Sequence, residues 1–192
     1  GAQLVYVSPL ADENLPPYLD GLYLGGGYPE LHASELAANK KLLGQIRDFC
    51  QSGRPVYAEC GGFMYLMCSI TTQNKQTFPM AGIYPFKTHM EDRFKALGYR
   101  EVTTTAQSLL GPSGTIVRGH EFHYSGLKDL NQGLSSIYQA RDRKQQVRNC
   151  QGFLHKNVLG SYVHLHFASN PKVACNFVRS CQNMQKNSNR AS

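Results

Sequence analysis

Short apolar runs alternate with a segment of helical periodicity in the first third of the chain, and no other feature constrains the fold as strongly. The runs predicted to be strands are 3–7, 21–24 and 55–58. Between the second and the third, apolar residues recur at helical spacing over about 35–51, with Ser34 as the predicted N-cap. Another helix is predicted over 62–67. This order predicts a parallel sheet with helices on both faces.

The second half of the chain has a different pattern. Its β-rich segments, joined by Gly, Pro and Asn turns, are 95–105, 115–125, 136–141 and 153–166. We predict that they form antiparallel additions and that the last strand returns to the parallel sheet. A helix from about Pro171 closes the fold, and the side chains it is expected to bury are Val173, Phe177, Val178 and Cys181. The predicted class is α/β, with one domain over 1–181 and a polar, disordered tail over 182–192.

The formal charge of +7 is concentrated in the last third of the chain. Residues 1–129 hold 11 Lys and Arg against 12 Asp and Glu, whereas residues 130–192 hold nine against Asp142 alone. The tail lacks the interleaved aromatic residues of a nucleic-acid footprint, so no nucleic-acid partner is expected. An anionic small-molecule partner stays open. No segment approaches the roughly 20 apolar residues of a membrane-spanning helix, so no membrane partner is expected either.

Six cysteines, none in a CxxC pair or at zinc-ligand spacing, indicate reduced thiols and a cytoplasmic location. A His-x-His pair that His120 or His123 joins is a conceivable metal site, but no acidic or cysteine ligand has suitable spacing. We therefore predict no metal. Neither GxxxxGK[ST] nor GxGxxG occurs, so no phosphate-loop ATP site, and no cofactor, is expected in this chain.

Cys60 is the candidate nucleophile because of its place in the pattern. It follows the predicted strand 55–58 and precedes a predicted helix, in the run Ala-Glu-Cys-Gly-Gly. A tight strand-to-helix turn presents its side chain at the carboxyl end of the sheet, where α/β sites lie, and needs small neighbours. A helix N-terminus also favours thiolate over thiol. The alternative is a buried structural cysteine, and the local sequence does not choose between the two.

A thiol nucleophile needs a base, and His164 and His166 end a late predicted strand. Positions two apart on a strand face the same side, so both imidazoles can point to one site. The alternative is that both are structural histidines. The glycine loop at 25–27 ends a strand and can donate N–H groups to an oxyanion, with Gly61 as a second donor. The alternative there is a tight turn that needs glycine.

Five segments, in order, resemble one known family. They are LYLGGGYPELH (22–32), PVYAECGGFMYL (55–66), LGYR (97–100), RGHEFHYS (118–125) and SYVHLHF (161–167). The family is the C-terminal class I glutamine amidotransferase domain of the cobyrinate (or hydrogenobyrinate) a,c-diamide synthases of cobalamin biosynthesis. The likeness runs from about residue 3 to 171 and implies a flavodoxin-like class I amidotransferase fold.

The resemblance also implies site residues and partners. Cys60 would attack the side-chain amide of L-glutamine, with His164 as the base. Gly26 or Gly27, together with Gly61, would stabilise the oxyanion. The ammonia would pass to a synthetase domain, absent from this chain, which uses ATP and Mg²⁺ to amidate the a and c carboxylates of a corrin precursor.

Two departures limit what the resemblance implies. Other class I amidotransferases have His-x-Glu, in which the Glu orients the base, but position 166 here is His. Glu121 and His166 are therefore only candidate supporting residues. The class I core usually starts with a strand and helix that would come just before Gly1, so a domain truncated at its N-terminus is expected. The alternatives are a catalytically silent binding or scaffold module, and the amidotransferase of a related nickel-sirohydrochlorin diamide synthase; the oligomeric state is left open.

Overall fold

The computed structural model describes residues 1–93, 95–130 and 133–188, and the side chains of the last helix through residue 184. Within these ranges the helices are α1 (Ala33–Ala38), α2 (Lys40–Gln51), α3 (Gly61–Tyr65) and α4 (Pro171–Ser188), with 3₁₀ turns at Pro29–His32 and Phe167–Ser169. The strands are β1 (Leu22–Leu24), β2 (Val56–Glu59), β3 (Met67–Thr71), β4 (Thr77–Pro79), β5 (Tyr84–Met90), β6 (Ala96–Thr104), β7 (Ile116–His123), β8 (Ser125–Lys128), β9 (Tyr138–Arg141), β10 (Val147–Arg148), β11 (Gly152–His155), β12 (Val158–Ser161) and β13 (Val163–Leu165).

The strands form three sheets. The first has the order β1-β2-β12-β11, in which β1, β2 and β12 run parallel and β11 is antiparallel to β12. The second, β10-β9-β6-β7-β13, is antiparallel throughout. The third has the order β4-β3-β5-β8, in which only β3 and β5 are parallel. The predicted α/β class is confirmed, with its parallel core in the first sheet and the antiparallel additions in the second half.

Strand β2 is an inner strand of the first sheet, and both of its faces are buried. Val56 and Ala58 belong to one apolar cluster, packed with α2 and α3, whereas Tyr57 belongs to a second cluster on the opposite face. Strand β12 divides in the same way, with Val158 in the first cluster and Leu159 in the second. A strand covered on both faces is expected to be apolar along its whole length, as the run 55–58 is. The carboxyl end of β2 is therefore held firmly in place.

The predicted strand at 3–7 is wrong. These residues are irregular in the structure, and Leu4 and Tyr6 are 74% and 88% exposed. A strand requires a hydrogen-bonded neighbour, and among the described residues β1 pairs only with β2. An apolar run alone does not supply that neighbour, which is why the pattern misleads here.

The predicted helix over 35–51 is two helices. Asn39, at ψ 61°, interrupts it, and the Asn39 side chain caps α2 by accepting a hydrogen bond from Leu42 N–H at 3.3 Å. Ser34 is the second residue of α1 rather than an N-cap. The apolar spacing continues across the break, so periodicity does not reveal it. The helix predicted over 62–67 is also shorter than expected, since α3 ends at Tyr65 and β3 starts at Met67.

The closing helix is longer and less buried than predicted. Val173 is fully buried, but Phe177, Val178 and Cys181 are only partly so. The tail predicted to be disordered from residue 182 starts inside α4, which continues to Ser188. Residues 189–192 of that prediction lie outside the described residues.

Candidate active site

Cys60 occupies the turn between β2 and α3. Its backbone has φ 49° and ψ −107°, in the positive-φ region that side chains other than glycine seldom adopt. The conformation is fixed from both sides: Cys60 N–H donates to Ser161 O at 2.8 Å, and Met64 N–H donates to Cys60 O at 2.9 Å. The thiol therefore lies at the carboxyl end of the parallel strands and at a helix N-terminus, as the sequence predicts.

The glycine loop 25–27 packs directly against this turn. Gly62 N–H donates to Gly25 O at 2.9 Å. A Cβ at Gly61 would lie 2.7 Å from Gly27 O and 2.8 Å from Gly27 N, closer than real Cβ contacts come. A Cβ at Gly62 would overlap Leu24 O. The glycines on both sides are therefore needed because two backbone segments meet there.

His164 comes from the second sheet and reaches the Cys60 turn. Its strand β13 pairs with β7, and Nδ1 of His164 lies 3.5 Å from Oε1 of Glu59. A hydrogen bond with Cys60, and next one with Glu59, raise the pKa of His164 to about 10 against the opposing effect of burial. At neutral pH the imidazole is therefore cationic. A Cβ at Gly26 would overlap Cε1 of His164, so the glycine loop also confines the ring.

Glu59 is the acidic group of this site. It is buried, and its carboxylate accepts hydrogen bonds from Tyr23 Oη at 2.6 Å, Tyr57 Oη at 3.2 Å and Leu165 N–H at 3.2 Å. Burial acts to raise the pKa of Glu59, but the hydrogen bonds from His164 and Tyr23 outweigh it, and the pKa lies below its usual value. Glu59 is thus a buried carboxylate that keeps its charge because it is fully hydrogen-bonded.

His120 stacks on His164. The rings of His120 and His164 are 4.7 Å apart at their centroids and 4° from parallel, because the two residues are opposite each other in the β7–β13 pair. Burial, and next the charge of His164, lower the pKa of His120. The stacked ring is therefore neutral beside a cationic one, and it restricts the rotation of His164.

Two backbone N–H groups, those of Gly61 and Gly27, lie in the turn and the loop next to Cys60. Gly61 is the first residue of α3, so its N–H has no acceptor within the helix. Gly27 N lies next to Gly61, as the close approach of the loop requires. The thiol, a cationic imidazole and these donors together are the parts that nucleophilic attack on an amide carbon needs.

The structure does not bring Glu121 to His164, and its predicted supporting role is wrong. The Glu121 carboxylate accepts hydrogen bonds from Arg100 Nε at 3.0 Å and from the Cys150 thiol at 2.9 Å, and it lies 3.1 Å from His123 Nε2. Its side chain is on the face of β7 opposite to His120, so it points away from His164. We call Arg100, Glu121, His123 and Cys150 the Arg100 cluster, and Glu59, Cys60 and His164 the Cys60 cluster.

His166 does not support His164 either. It lies just beyond the end of β13 and is exposed, and its backbone N–H donates to Arg118 O at 2.8 Å. No hydrogen bond from His166 to His164 or Glu59 is found in the part of the chain that the structure describes. The two-residue spacing predicts a common face only while the strand continues, and this strand stops at Leu165.

Two cavities flank these clusters. One, of about 1060 Å³, lies between the glycine loop and the segment 1–10. The other, of about 780 Å³, is lined by Arg100, Glu121 and His123 among others. Among the described residues no group of three His, Cys, Asp or Glu side chains is arranged to hold a metal ion, and no helix combines the length and hydropathy needed to cross a bilayer.

Sequence reasoning missed Glu59, although it precedes Cys60. Alternation along β2 places Tyr57 and Glu59 on one face, and Tyr23 lies opposite Tyr57 in the parallel pair. A buried acidic residue needs hydrogen-bond donors or a counter-charge. Its position at the end of a central strand is therefore a signal that could have identified Glu59. The stacking of His120 has no comparable signal, because it depends on the register between β7 and β13.

Comparison with known proteins identifies one domain family for this chain. Residues 1–172 match the family model of the CobB/CobQ-like glutamine amidotransferase domain. The chain is 46% identical over 182 residues to a cobyrinate a,c-diamide synthase of Leptospira interrogans serovar copenhageni, covering 94% of this chain and 40% of that protein. It is 42% identical over 183 residues to the enzyme of that name from Archaeoglobus fulgidus, covering 93% and 38%.

Solved structures share the fold at low sequence identity. PurLQS from Thermotoga maritima has a TM-score of 0.58 at 14% identity, over 92% of this chain and 84% of that chain. A glutamine amidotransferase has a TM-score of 0.57 at 17% identity, over 86% of this chain and 81% of that chain.

The chain spans about 40% of the length of the curated relatives it matches. Because the family model covers nearly the whole chain, this protein belongs to the CobB/CobQ-like glutamine amidotransferase domain family.

Proposed function

We propose that this chain is the glutamine-hydrolysing domain of a cobyrinate a,c-diamide synthase, with Cys60 as nucleophile and His164 as base. The observation that carries the proposal is the Cys60 turn: a thiol at positive φ on a strand-to-helix turn, in contact with a histidine whose pKa is raised to about 10. A histidine beside a thiol can exchange a proton with it, which is what a cysteine nucleophile requires.

The reaction would proceed in two halves. The Cys60 thiolate attacks the side-chain amide carbon of L-glutamine, and the carbonyl oxygen becomes an oxyanion. As the intermediate collapses, the carbon–nitrogen bond breaks, His164 gives its proton to the leaving nitrogen, and ammonia departs from a γ-glutamyl thioester. Neutral His164 then takes a proton from water, which attacks the thioester, releases glutamate and restores the thiolate beside the imidazolium.

The oxyanion would be held by backbone donors. Gly61 N–H follows the nucleophile, and Gly26 or Gly27 N–H comes from the glycine loop that packs against it. Donors fixed in advance lower the barrier because they require no reorganisation when charge develops, and one such donor contributes about 10²- to 10³-fold in rate in other enzymes. The close contact of Gly61 with Gly27 supports this assignment.

The fate of the ammonia concerns a part of the protein beyond this chain. The relatives named cobyrinate a,c-diamide synthase are about two and a half times as long as the matched region, which is 40% of their length. We propose that a synthetase domain there uses ATP and Mg²⁺ to amidate the a and c carboxylates of a corrin precursor. A cytoplasmic location belongs to the same proposal, because the six cysteines are free thiols.

A glutamine-analogue alkylator tests the proposal. The chain is incubated with 6-diazo-5-oxonorleucine, and the adduct is mapped by peptide mass spectrometry. We expect the label on Cys60, its loss in Cys60→Ala, and protection by L-glutamine. Cys150→Ala is the control, because this buried thiol lies outside the proposed site and its loss should leave the labelling of Cys60 intact.

The absence of any label on well-folded protein would contradict the proposal. It would favour the catalytically silent binding or scaffold module. Labelling at the exposed Cys175 instead of Cys60 would contradict it as well, because it would show reactivity governed by exposure alone. Free glutaminase activity is not needed for the test, since alkylation reports on the nucleophile without the synthetase domain.

A further inference from the structure

We infer that Glu59 is the positioning residue for His164, and that it replaces the glutamate which other class I amidotransferases carry two residues after the histidine. The inference rests on the proposed function, because a positioning residue has meaning only if His164 is the base. It assigns the third member of the site to the residue that immediately precedes the nucleophile.

The first step is the contact itself. Oε1 of Glu59 lies 3.5 Å from Nδ1 of His164. With Nδ1 at ion-pair distance from a carboxylate, Nε2 is the ring nitrogen that we assign to proton exchange with Cys60. An acid that fixes one ring nitrogen in this way selects the tautomer and stabilises the imidazolium, which is the role of the third member of hydrolase triads.

The second step is the support of the carboxylate. Tyr23 Oη donates to Oε1 at 2.6 Å, while Tyr57 Oη and Leu165 N–H donate to Oε2 at 3.2 Å each. Both oxygens are thus occupied, so the carboxylate does not rotate freely. The Leu165 bond ties Glu59 to the residue after His164, and therefore fixes β2 relative to the strand that carries the base. A carboxylate held by three donors from three strands is built to keep one direction.

The third step is the comparison with the other groups that face His164. These are Cys60 from the turn after β2, His120 from β7 and Glu59 from β2. His120 is neutral and stacks face to face, so it supplies no acceptor to Nδ1. Glu121 is engaged by Arg100, and no hydrogen bond to His164 from His166 exists among the described residues. Glu59 is thus the carboxylate whose geometry fits the role.

The experiment combines alkylation rates with the protonation of His164. Glu59→Gln keeps the shape and one acceptor oxygen but removes the charge, and Glu121→Gln is the matched control, with an equally buried carboxylate beside another histidine. We expect Glu59→Gln to slow labelling of Cys60 by 6-diazo-5-oxonorleucine by about 10²-fold or more, as loss of the orienting acid does in hydrolase triads.

The second readout distinguishes a positioning role of Glu59 from a purely structural one. In chain carrying ¹³Cε1-labelled histidine, the NMR titration midpoint of His164 should fall in Glu59→Gln, since the lost charge favoured the cation. It should stay in place in Glu121→Gln. Glu59→Asp keeps the charge and should recover part of the labelling rate. Equal labelling rates and equal midpoints in wild type and Glu59→Gln would overturn the inference.

A further variant keeps the test decisive if Glu59→Gln does not fold. Tyr23→Phe removes the shortest hydrogen bond to the carboxylate at a half-exposed site, and we expect labelling to slow about threefold to tenfold. An unchanged rate in folded Tyr23→Phe would then overturn the inference. Failure of the proposed function has a different signature, which is no labelling of Cys60 in wild type whatever the state of Glu59.

Discussion

The Cys60 cluster and the Arg100 cluster share three residue types but differ in the order of their contacts, and the Arg100 cluster adds an arginine. Each contains a buried glutamate, a histidine and a buried cysteine. In the Cys60 cluster His164 interacts with both the carboxylate and the thiol. In the Arg100 cluster the thiol of Cys150 donates directly to Glu121 at 2.9 Å, and His123 is on the other carboxylate oxygen.

The difference changes the electrostatic surroundings of the sulfur. Burial, and next the hydrogen bond to Glu121, raise the pKa of Cys150 to about 12, because a thiolate beside a carboxylate is repelled and desolvated. Arg100 opposes this but is itself paired with Glu121 at 3.0 Å. Cys60 instead faces an imidazolium at a helix N-terminus. Composition alone therefore does not identify a nucleophile: the group in contact with the sulfur does.

The largest expected difference between the clusters is thiol reactivity. Cys60 and Cys150 are 7% and 5% exposed, so access is similar and a difference in rate is chemical. With iodoacetamide at pH 7.5, we expect Cys60 to react at least about 10³-fold faster, because a thiol of pKa about 12 is almost wholly protonated there. Site-resolved mass spectrometry measures both rates in one sample, with Cys175 as the exposed reference. Equal rates would remove the distinction between the clusters.

The next effect is on stability, and it should be larger in the Arg100 cluster. Glu121→Gln leaves the buried Arg100 guanidinium without its counter-ion, and breaking a buried pair costs about 3–5 kcal/mol of unfolding free energy. Glu59→Gln should cost less, since its partner His164 is partly exposed and can lose its proton. Urea unfolding followed by circular dichroism compares the two variants. A greater loss for Glu59→Gln would mean that the Cys60 cluster is primarily structural.

The smallest of these effects concerns the glycine loop, which confines only the Cys60 cluster. Gly26→Ala places a methyl group against Cε1 of His164, and a displacement of about 1 Å can cost up to about 10²-fold in rate. We expect labelling of Cys60 by 6-diazo-5-oxonorleucine to slow by about 10- to 10²-fold. Gly25→Ala is the matched control, because its Cβ would make only an ordinary 3.6 Å contact with Tyr23. Neither glycine has a positive φ, so the contrast is steric. A similar loss in both variants would contradict it.

Much of the parallel core follows from local sequence. The runs 21–24 and 55–58 and the turn at Cys60 are found where the pattern predicts them, and the helix predicted before the second run is present as α1 and α2. The short third sheet was not predicted, because β3 follows α3 after a single residue and its apolar residues continue the helical spacing. The run 3–7 shows the opposite failure: strand-like sequence without a strand to pair with.

The sequence by itself determined that a cysteine with small neighbours stands at the end of a buried strand, because a strand-to-helix turn is encoded within about ten residues. It also placed His164 on a late strand, although His166 lies beyond the end of that strand. Only the tertiary structure decided that Glu59 rather than Glu121 meets His164, and that His166 does not. The physical reason is distance along the chain: the Glu59–Leu165 hydrogen bond joins residues 106 positions apart. Such contacts depend on how two sheets pack, and no local pattern records that.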